Sequence, residues 1–278
     1  MSSPVVPASI RLSFSGAEAR LAPDDTPWGG SVLFLDGREQ SHVDEDPTTI
    51  RHEYLRRIGS VVDTVAPAGE AIRVLHLGAG ALTLPRYVEA TRPGSEQTVV
   101  EIERELVDFV LEHLPLPAGT RLRSIVGDAR TELERLGGGG ERFDAIVLDI
   151  FTGVGAPEHL ACEEFYVEAL RALTPRGVLS VNIGDDPGLG FWADQTLALL
   201  DAADEAACPG AWTLCDASML DLDREGNLVL VAGPSVSAEV AGAERIGSLE
   251  AAWQAAGPHP AAVLDPDETE DLAQTIAG

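Results

Sequence analysis

The sequence contains no lysine, and all 19 basic residues are arginines, against 46 aspartates and glutamates. Without lysine, the chain has no side chain that could form a Schiff base with pyridoxal phosphate or with a carbonyl substrate. The formal net charge of −27 excludes a nucleic-acid-binding protein, because phosphate binding requires clustered cations. The same charge would attract a small cationic substrate, although acids that keep the surface soluble explain it more simply.

Metal-binding and membrane-spanning patterns are also missing. The three cysteines, Cys162, Cys208 and Cys215, match neither a disulfide framework nor a paired zinc site, and the six histidines are scattered. The sequence therefore predicts no metal centre. No apolar run approaches the ~20 residues that span a bilayer, and the N-terminus lacks a basic segment followed by an apolar one. We expect a cytoplasmic protein without a membrane or nucleic-acid partner.

The most informative stretch is Ile72–Arg86, IRVLHLGAGALTLPR, which predicts a buried strand, a glycine turn at 78–80 and a helix from about Leu82. At such a corner of a doubly wound sheet, Gly78 and Gly80 let the backbone approach a nucleotide, and the helix N-terminus offers free N–H groups. Many such turns carry two glycines for steric reasons alone. The next predicted strand ends at Glu101, about 20 residues further on, where these folds bind a ribose diol.

Strands and helices alternate through the middle of the chain, which predicts a parallel sheet with right-handed crossovers. The predicted strands are 72–77, 97–101, 121–126, 143–149 and 178–183, and the predicted helices are 82–91, 103–113, 129–136, 162–173 and 191–206. A terminal antiparallel pair at 212–215 and 228–231 completes seven strands. This is the layout of the class I S-adenosylmethionine-dependent methyltransferase-like Rossmann fold.

We divide the chain into three parts. Residues 1–67 predict a small N-terminal β-rich lobe, with a strand at Ser31–Leu35, an Asp36-Gly37 turn and one helix over 48–62. Residues 68–234 predict the nucleoside-binding catalytic domain, and residues 235–278 predict a C-terminal tail with a helix near 247–255. The lobe exposes a strand edge that needs cover, which favours an oligomer.

Three acids, Glu101, Asp128 and Asp149, follow consecutive predicted strands, at the edge where open α/β sheets bind ligands. One carboxylate can accept from both hydroxyls of a ribose and a second from an adenine amino group, while the third would face the reacting group. Each acid also has a structural alternative. Asp128 could cap the helix at 129–136, and Asp149 could form a turn after its strand.

These motifs resemble those of the spermidine synthase (aminopropyltransferase) family, of which the chain looks like a divergent member. The front lobe carries Leu35-Asp36-Gly37…Gln40 and Arg51-His52-Glu53, similar to LDG…Q and YHE. Residues 100–103, VEIE, resemble VEID, and residues 127–129 are GDA. Residues 149–170, DIFTGVGAPEHLACEEFYVEAL, resemble DSSDPxGPAxxLFTxEFYxxL without a gap down to Glu164-Phe165-Tyr166. The resemblance covers about Val32 to Ile183.

The resemblance implies transfer of an aminopropyl group from decarboxylated S-adenosylmethionine to an amine, in polyamine-type metabolism, by a homodimer. It implies that Glu101 holds the ribose and that Asp128, with Ala129, contacts the adenine. Gln40 would border the co-substrate and His52 the acceptor. Asp149 would orient or deprotonate the attacking amine. The matched motifs add three candidate substrate-binding residues, Arg51, Thr152 and Tyr166.

The departures from the family pattern fall on the diamine half of the site. Ala81 stands where the aspartate of GGGDGG would bind the aminopropyl ammonium. Thr152 replaces the second acid of DSSD, Arg51 replaces the tyrosine of YHE, and no tyrosine follows Tyr166. The loss of an acid at 81 would remove repulsion of a ligand carboxylate, with which Arg51 or Arg86 could pair.

Three alternatives therefore stay open. Intact S-adenosylmethionine as the donor would make the chain a methyltransferase, and a homologue without catalysis would bind a nucleoside and transfer nothing. An NAD-dependent oxidoreductase fits less well, since Thr83 stands where the dinucleotide fingerprint has its third glycine.

Overall fold

The computed structural model describes residues 6–150 and 157–278. A small antiparallel sheet forms the N-terminal lobe, in the order β1 (Ala8–Arg11), β2 (Glu18–Pro23), β3 (Ser31–Leu35) and β4 (Arg38–Val43). The predicted turn joins β3 to β4. Asp36 and Gly37 both have positive φ there, 47° and 79°, which glycine adopts freely and aspartate tolerates in tight turns.

The main sheet is mostly parallel, as the alternating pattern predicts. Its strands are β5 (Arg73–Leu77), β6 (Glu96–Glu101), β7 (Arg121–Val126), β8 (Phe143–Leu148), β9 (Leu173–Asp185), β10 (Ala211–Asp216), β11 (Gly226–Ala232) and β12 (Ala261–Leu264). They are ordered β12-β10-β11-β9-β8-β5-β6-β7. The five strands from β9 to β7 are parallel, whereas β11, β10 and β12 join by antiparallel pairing.

Helices cover both faces of this sheet, and their apolar sides form its two buried layers. They are α1 (Glu53–Thr64), α2 (Thr83–Thr91), α3 (Leu106–His113), α4 (Ala129–Gly138), α5 (Glu163–Arg171), α6 (Gly190–Glu205), α7 (Ala238–Ala241), α8 (Ala243–Ala256) and α9 (Pro266–Ala277). Helix α1 begins five residues later than predicted. The Asp46 carboxylate accepts from the N–H and the hydroxyl of Thr48, and this local turn competes with a first helical turn.

The C-terminal segment is more structured than the predicted tail with one helix. Its strand β12 pairs with β10, so the main sheet has eight strands within the described residues rather than the predicted seven. Trp253 of α8 is buried and packs edge-on against Trp212 of β10, with ring centroids 5.4 Å apart. Helix α9 begins with a capping box between Asp265 and Glu268. This segment is therefore an integral part of the main sheet.

The lobe contacts the main sheet at the glycine turn and at the end of β6. The Ala81 N–H donates to Ser41 Oγ at 3.1 Å, and Thr83 Oγ1 donates to the His42 carbonyl at 2.9 Å. The Glu103 carboxylate accepts from two backbone N–H groups of the β1–β2 loop, at 3.1 and 2.9 Å. The lobe therefore borders the carboxyl edge of the parallel strands. Within residues 6–150 and 157–278, no helix is long and apolar enough to span a bilayer.

Candidate functional site

The glycine turn and the three predicted acids lie at one edge of the sheet. The neighbouring parallel strands β8, β5, β6 and β7 end there, followed or terminated by Asp149, Gly78, Glu101 and Gly127. The backbone N–H groups of Asp149, Gly78 and Gly127 each donate to a carbonyl of the adjacent strand at 2.9 Å. Hydrogen bonding between the parallel strands thus continues to the edge of the sheet and fixes the positions of the residues there.

The glycine turn is shaped by close packing on two sides. At Gly78, with φ 99°, a Cβ would lie 2.5 Å from the Asp149 carbonyl oxygen. At Gly80, with φ 48°, a Cβ would lie 2.5 Å from Ser41 Oγ. Both positions therefore require glycine for steric reasons. The neighbouring Ala81 side chain is buried in the apolar cluster beneath the lobe.

Glu101 is fixed by backbone donors. Its Oε2 accepts from the Ala79 N–H at 3.0 Å and its Oε1 from the Glu103 N–H at 2.9 Å. Burial raises the pKa of Glu101, and these backbone hydrogen bonds oppose the shift. Each carboxylate oxygen keeps a second lone pair, so the group can accept further hydrogen bonds from a diol.

Asp128 is the N-cap of α4, which is the structural alternative raised by its place in the sequence. Its Oδ1 accepts from the Thr131 N–H at 3.0 Å, and its Oδ2 lies 2.7 Å from His159 Nε2. Desolvation raises the pKa of Asp128, but the hydrogen bonds from Thr131 and His159 outweigh it and leave the pKa lowered. His159 fills an unspecified position of the long motif, so the sequence held no signal for it. Ala129 begins α4 and is buried.

Asp149 lies at the start of a partly buried chain of hydrogen-bonded polar side chains. Asn182 Nδ2 donates to its Oδ1 at 2.8 Å, and the Tyr54 hydroxyl lies 3.3 Å from its Oδ2. Asn227 Nδ2 in turn donates to Asn182 Oδ1 at 3.0 Å. Burial raises the pKa of Asp149, and the two hydrogen bonds oppose that shift. The carboxylate is therefore held in one orientation and is a stronger base than an exposed aspartate.

A cleft of about 600 Å³ opens next to this chain of side chains. Tyr54 and Asn227 line it, and both belong to the hydrogen-bonded group around Asp149. The remaining lining residues come from α1, from the β10–β11 connection and from the loop before β12. They are His52, Glu53, Arg57, Asp216, Ser218, Met219, Arg224, Glu225, Gly226 and Pro260.

Comparison with known proteins connects this geometry to one group of enzymes. No protein-family model matches the chain. It is 33% identical over 110 residues to the polyamine aminopropyltransferase of Vibrio vulnificus (strain CMCP6), covering 40% of this chain and 37% of the relative. It is 31% identical over 160 residues to that of Ruegeria sp. (strain TM1040), covering 56% and 53%. The chain thus spans about half or less of the length of these relatives.

A solved structure extends the likeness to nearly the whole chain. The crystal structure of a probable spermidine synthase from Corynebacterium glutamicum ATCC 13032 superposes with a TM-score of 0.79 at 24% identity. The match covers 98% of this chain and 94% of that one, so the two share the fold. In fold, this chain is spermidine-synthase-like.

Two arginines of this spermidine-synthase-like chain are not free to bind a ligand carboxylate. Arg51 donates to the Asp44 carboxylate at 2.6 Å, and its guanidinium lies 5.0 Å from the centroid of the Trp28 ring. Arg86 is buried and donates to the backbone carbonyls of Leu114 and Pro115. Burial lowers the pKa of Arg86 to about 10. The hypothesis that either arginine replaces the family's diamine contacts with a carboxylate contact is therefore not supported.

The other candidate substrate-binding residues of the spermidine-synthase-like motifs lie in different surroundings. Tyr166 is fully buried, and its hydroxyl donates to Gln195 Oε1 at 2.7 Å, which fixes α5 to α6. His52 lines the cleft with Nε2 3.4 Å from a Glu39 carboxylate oxygen, and burial lowers its pKa. Gln40 lies on β4, the strand that contacts the glycine turn. Thr152 is outside the described residues.

Three residues of this site, Tyr54, Asn182 and Asn227, were missed by sequence reasoning. Tyr54 lies at an apolar position of the helical spacing in the predicted helix, so the pattern gave no indication that its hydroxyl contacts Asp149. Asn182 did carry a signal, because an asparagine within the buried run of β9 requires a hydrogen-bond partner. In the described part of the chain, no three His, Cys, Asp or Glu side chains are grouped as a metal site would require.

Proposed function

We propose that this protein transfers an aminopropyl or related alkyl group from a sulfonium nucleoside of the decarboxylated S-adenosylmethionine type to a small amine. The observation that carries the proposal is the partly buried Asp149 carboxylate, oriented by Asn182 and Tyr54. It lies between the cleft and the sheet edge that carries Glu101. The names of the matched relatives support the same chemistry.

The residues divide into a nucleoside side and an acceptor side. Glu101 would accept from the ribose hydroxyls, and the glycine turn would let the nucleoside lie against the backbone. Asp128 Oδ1 already accepts twice from Thr131, but Oδ2 keeps one lone pair beside its His159 contact, through which it would accept from the adenine amino group. The acceptor amine would enter through the cleft, where Tyr54 and Asn227 border the Asp149 group.

The transfer itself needs positioning and one proton acceptor. The amine nitrogen attacks the carbon attached to the sulfonium, a C–N bond forms, and the C–S bond breaks with its electron pair going to sulfur. The leaving group is then a neutral thioether nucleoside. Asp149 accepts the proton that the amine loses, and its raised pKa suits it to this task. Alignment of the two reactants contributes the greater part of the rate enhancement.

The donor is tested by binding. Calorimetric titration of the nucleoside-free protein with decarboxylated and, separately, intact S-adenosylmethionine is expected to show tighter binding of the decarboxylated form. Tighter binding of the intact form would favour a methyltransferase instead. Binding of methylthioadenosine without turnover of either donor would favour a homologue that only binds a nucleoside. Binding of none of these ligands would refute the enzyme proposal.

The same titration, repeated with two matched variants of β6, tests the role of Glu101. Glu101→Gln removes the charge expected to accept from the ribose and is expected to weaken nucleoside binding about tenfold or more. Glu96→Gln removes a carboxylate from the other end of the same strand, where Glu96 pairs with Arg73 at the surface. It is expected to leave nucleoside affinity unchanged. Equal effects of the two variants would contradict the assignment of Glu101.

Methyl transfer remains the second candidate because of one position. The Ala81 side chain is 1% exposed and packs among apolar residues, so no acid at this position is available to hold an aminopropyl ammonium. The decarboxylated donor therefore lacks one contact here, and the carboxylate of intact S-adenosylmethionine gains none. The comparison of the two donors decides between the candidates.

A further inference from the structure

The cleft beside Asp149 contains a buried cation with incomplete hydrogen bonding. The Arg57 side chain is 3% exposed, and its Nη1 donates to the Pro258 carbonyl at 3.1 Å. Its Nη2 has no hydrogen-bond partner among the described residues. The ion pair of Nη2 with Glu53 is long, at 3.9 Å, and the Glu53 side chain is 60% exposed. Burial of an unsatisfied charged donor is costly, so Nη2 has strong potential for an additional acceptor.

A second arginine lies on the same cleft. Arg224 is half exposed, donates to Ser218 Oγ at 2.8 Å, and has only the adjacent Asp223 as an ion-pair partner among the described residues, at 3.7 Å. Among the described residues, three acids also line the cleft. One of them, Asp216, accepts from the Ser218 N–H and hydroxyl, and these hydrogen bonds and the nearby charges of Arg57 and Arg224 lower its pKa. The cleft is thus of mixed charge. A ligand with positive charges at both ends would meet arginine as well as carboxylate there.

Helix α1 places Arg57 close to the Asp149 group, where the amine would react. Tyr54, whose hydroxyl contacts Asp149, and Arg57 are separated by one helical turn and both line the cleft. Residues at this spacing lie on the same face of a helix, with their Cβ atoms roughly 5–6 Å apart. A short linear molecule can therefore reach both the Asp149 group and Arg57.

We propose that the acceptor carries a carboxylate in addition to its reacting amine. The amine lies at Asp149, and the carboxylate replaces the exposed Glu53 side chain beside the buried Arg57 Nη2, from which it accepts, with Arg224 adding positive charge on the same cleft. This inference rests on the proposed transferase function and names its acceptor class. It also gives a physical reason for an arginine in the wall of a cleft that would otherwise select cations.

Paired acceptors of equal length test the inference directly. With a fixed saturating donor, initial rates are measured for putrescine against γ-aminobutyrate and for cadaverine against δ-aminovalerate. We expect a higher kcat/KM for each amino carboxylate than for its matched diamine. Arg57→Gln is expected to raise KM for the amino carboxylates by about 10- to 100-fold, with kcat little changed, because one charge-assisted contact is lost from binding alone.

Two control variants separate the contact from general charge effects. Arg56→Gln removes one positive charge from the same helix but on the face away from the cleft, where Arg56 lines a different surface hollow. It is expected to leave both KM values unchanged. Arg57→Lys keeps the charge but loses the fork of donors, so it is expected to give an intermediate KM.

A further variant covers the case in which the buried Arg57 cannot be replaced without unfolding. Glu53→Gln changes an exposed side chain and removes the acid that competes for Nη2. It is expected to lower KM for the amino carboxylates several-fold and to raise it for the diamines. The inference would be overturned if the wild type preferred diamines and if neither Glu53→Gln nor Arg57→Gln changed the ratio of kcat/KM for amino carboxylates to that for diamines. The transferase function would still stand in that case.

A binding experiment distinguishes failure of the carboxylate inference from failure of the transferase proposal. Calorimetry of δ-aminovalerate with the methylthioadenosine-bound protein is expected to show binding that Arg57→Gln abolishes and Arg56→Gln retains. If no acceptor is alkylated, the transferase function fails, and this binding result still decides whether Arg57 recognises a carboxylate. If δ-aminovalerate does not bind the wild type, the inference is wrong whatever the activity.

Discussion

Removing the hydrogen bonds that hold Asp149 is expected to shift the pH dependence of the reaction. Asn182 and Tyr54 donate to opposite oxygens of this carboxylate and stabilise its charged form. Burial already raises the pKa of Asp149, and these two donors limit the shift. Loss of either donor must therefore raise the pKa further, so that activity is lost at a higher pH as the solution is acidified.

The distances predict unequal effects. A hydrogen bond to a charged group contributes about 1.5–3 kcal/mol, and each pKa unit corresponds to about 1.4 kcal/mol. Asn182→Leu removes a contact of 2.8 Å and is expected to raise the acid limb by about one to two pH units. Tyr54→Phe removes a contact of 3.3 Å and is expected to raise it by less than about one unit.

The assay is kcat/KM as a function of pH, with stability of each variant checked by thermal melting. Tyr87→Phe is a matched control, because the Tyr87 hydroxyl donates to the Asp63 carboxylate at a distance from the cleft. It removes the same kind of contact and is expected to leave the acid limb in place. Unchanged acid limbs for Asn182→Leu and Tyr54→Phe, or an equal shift for Tyr87→Phe, would refute the role of Asp149 as the proton acceptor.

Three further predictions concern stability. His76 is buried against Gln97, and burial lowers its pKa to about 4, so stability is lost as pH falls from about 6.5 to 4. Urea denaturation of the wild type is expected to show a loss of about 3 kcal/mol in the free energy of unfolding over this pH range. The His76→Gln variant is expected to lack this loss, and equal losses in the two proteins would contradict the prediction. Glu103→Gln should weaken two backbone contacts to the β1–β2 loop and speed hydrogen exchange at Phe14, whereas unchanged exchange would contradict the contact. Ala81→Asp should lower Tm markedly, because it buries a carboxylate in an apolar cluster; an unchanged Tm would contradict that packing.

The sequence predicted the part of the site that local pattern determines. The glycine turn and the acids after successive strands are short-range features, and strand alternation brings their ends to one edge. In the structure Glu101 ends β6, and Asp128 and Asp149 lie just beyond β7 and β8, at the same edge of the parallel sheet. The roles of these acids toward a ligand stay predictions that the experiments above test.

Long-range packing determined what the sequence did not predict. The C-terminal helix α8 is rich in alanine and has little amphipathic contrast, so its periodicity gave no sign that Trp253 is buried against Trp212. Strand β12 is only four residues long, and its pairing with β10 joins segments that are distant in sequence. Such pairing depends on tertiary contacts rather than on local propensity.

The polar contacts at the site have the same origin. Asn227 reaches Asn182 because β11 pairs antiparallel with β9, and the register of that pair cannot be derived from either strand alone. Arg86 was considered for a ligand carboxylate, yet it donates to carbonyls 28 and 29 residues away. An arginine can satisfy its donors with backbone oxygens, and sequence patterns do not reveal these partners.

The most direct test of the account is to identify the products of a single turnover. The purified protein is mixed with decarboxylated S-adenosylmethionine and a mixture of short diamines and amino carboxylates, and the products are analysed by mass spectrometry. The account predicts methylthioadenosine and an aminopropylated acceptor in equal amounts, and neither product with Asp149→Asn. Absence of both products from the folded wild type, or undiminished formation with Asp149→Asn, would contradict it.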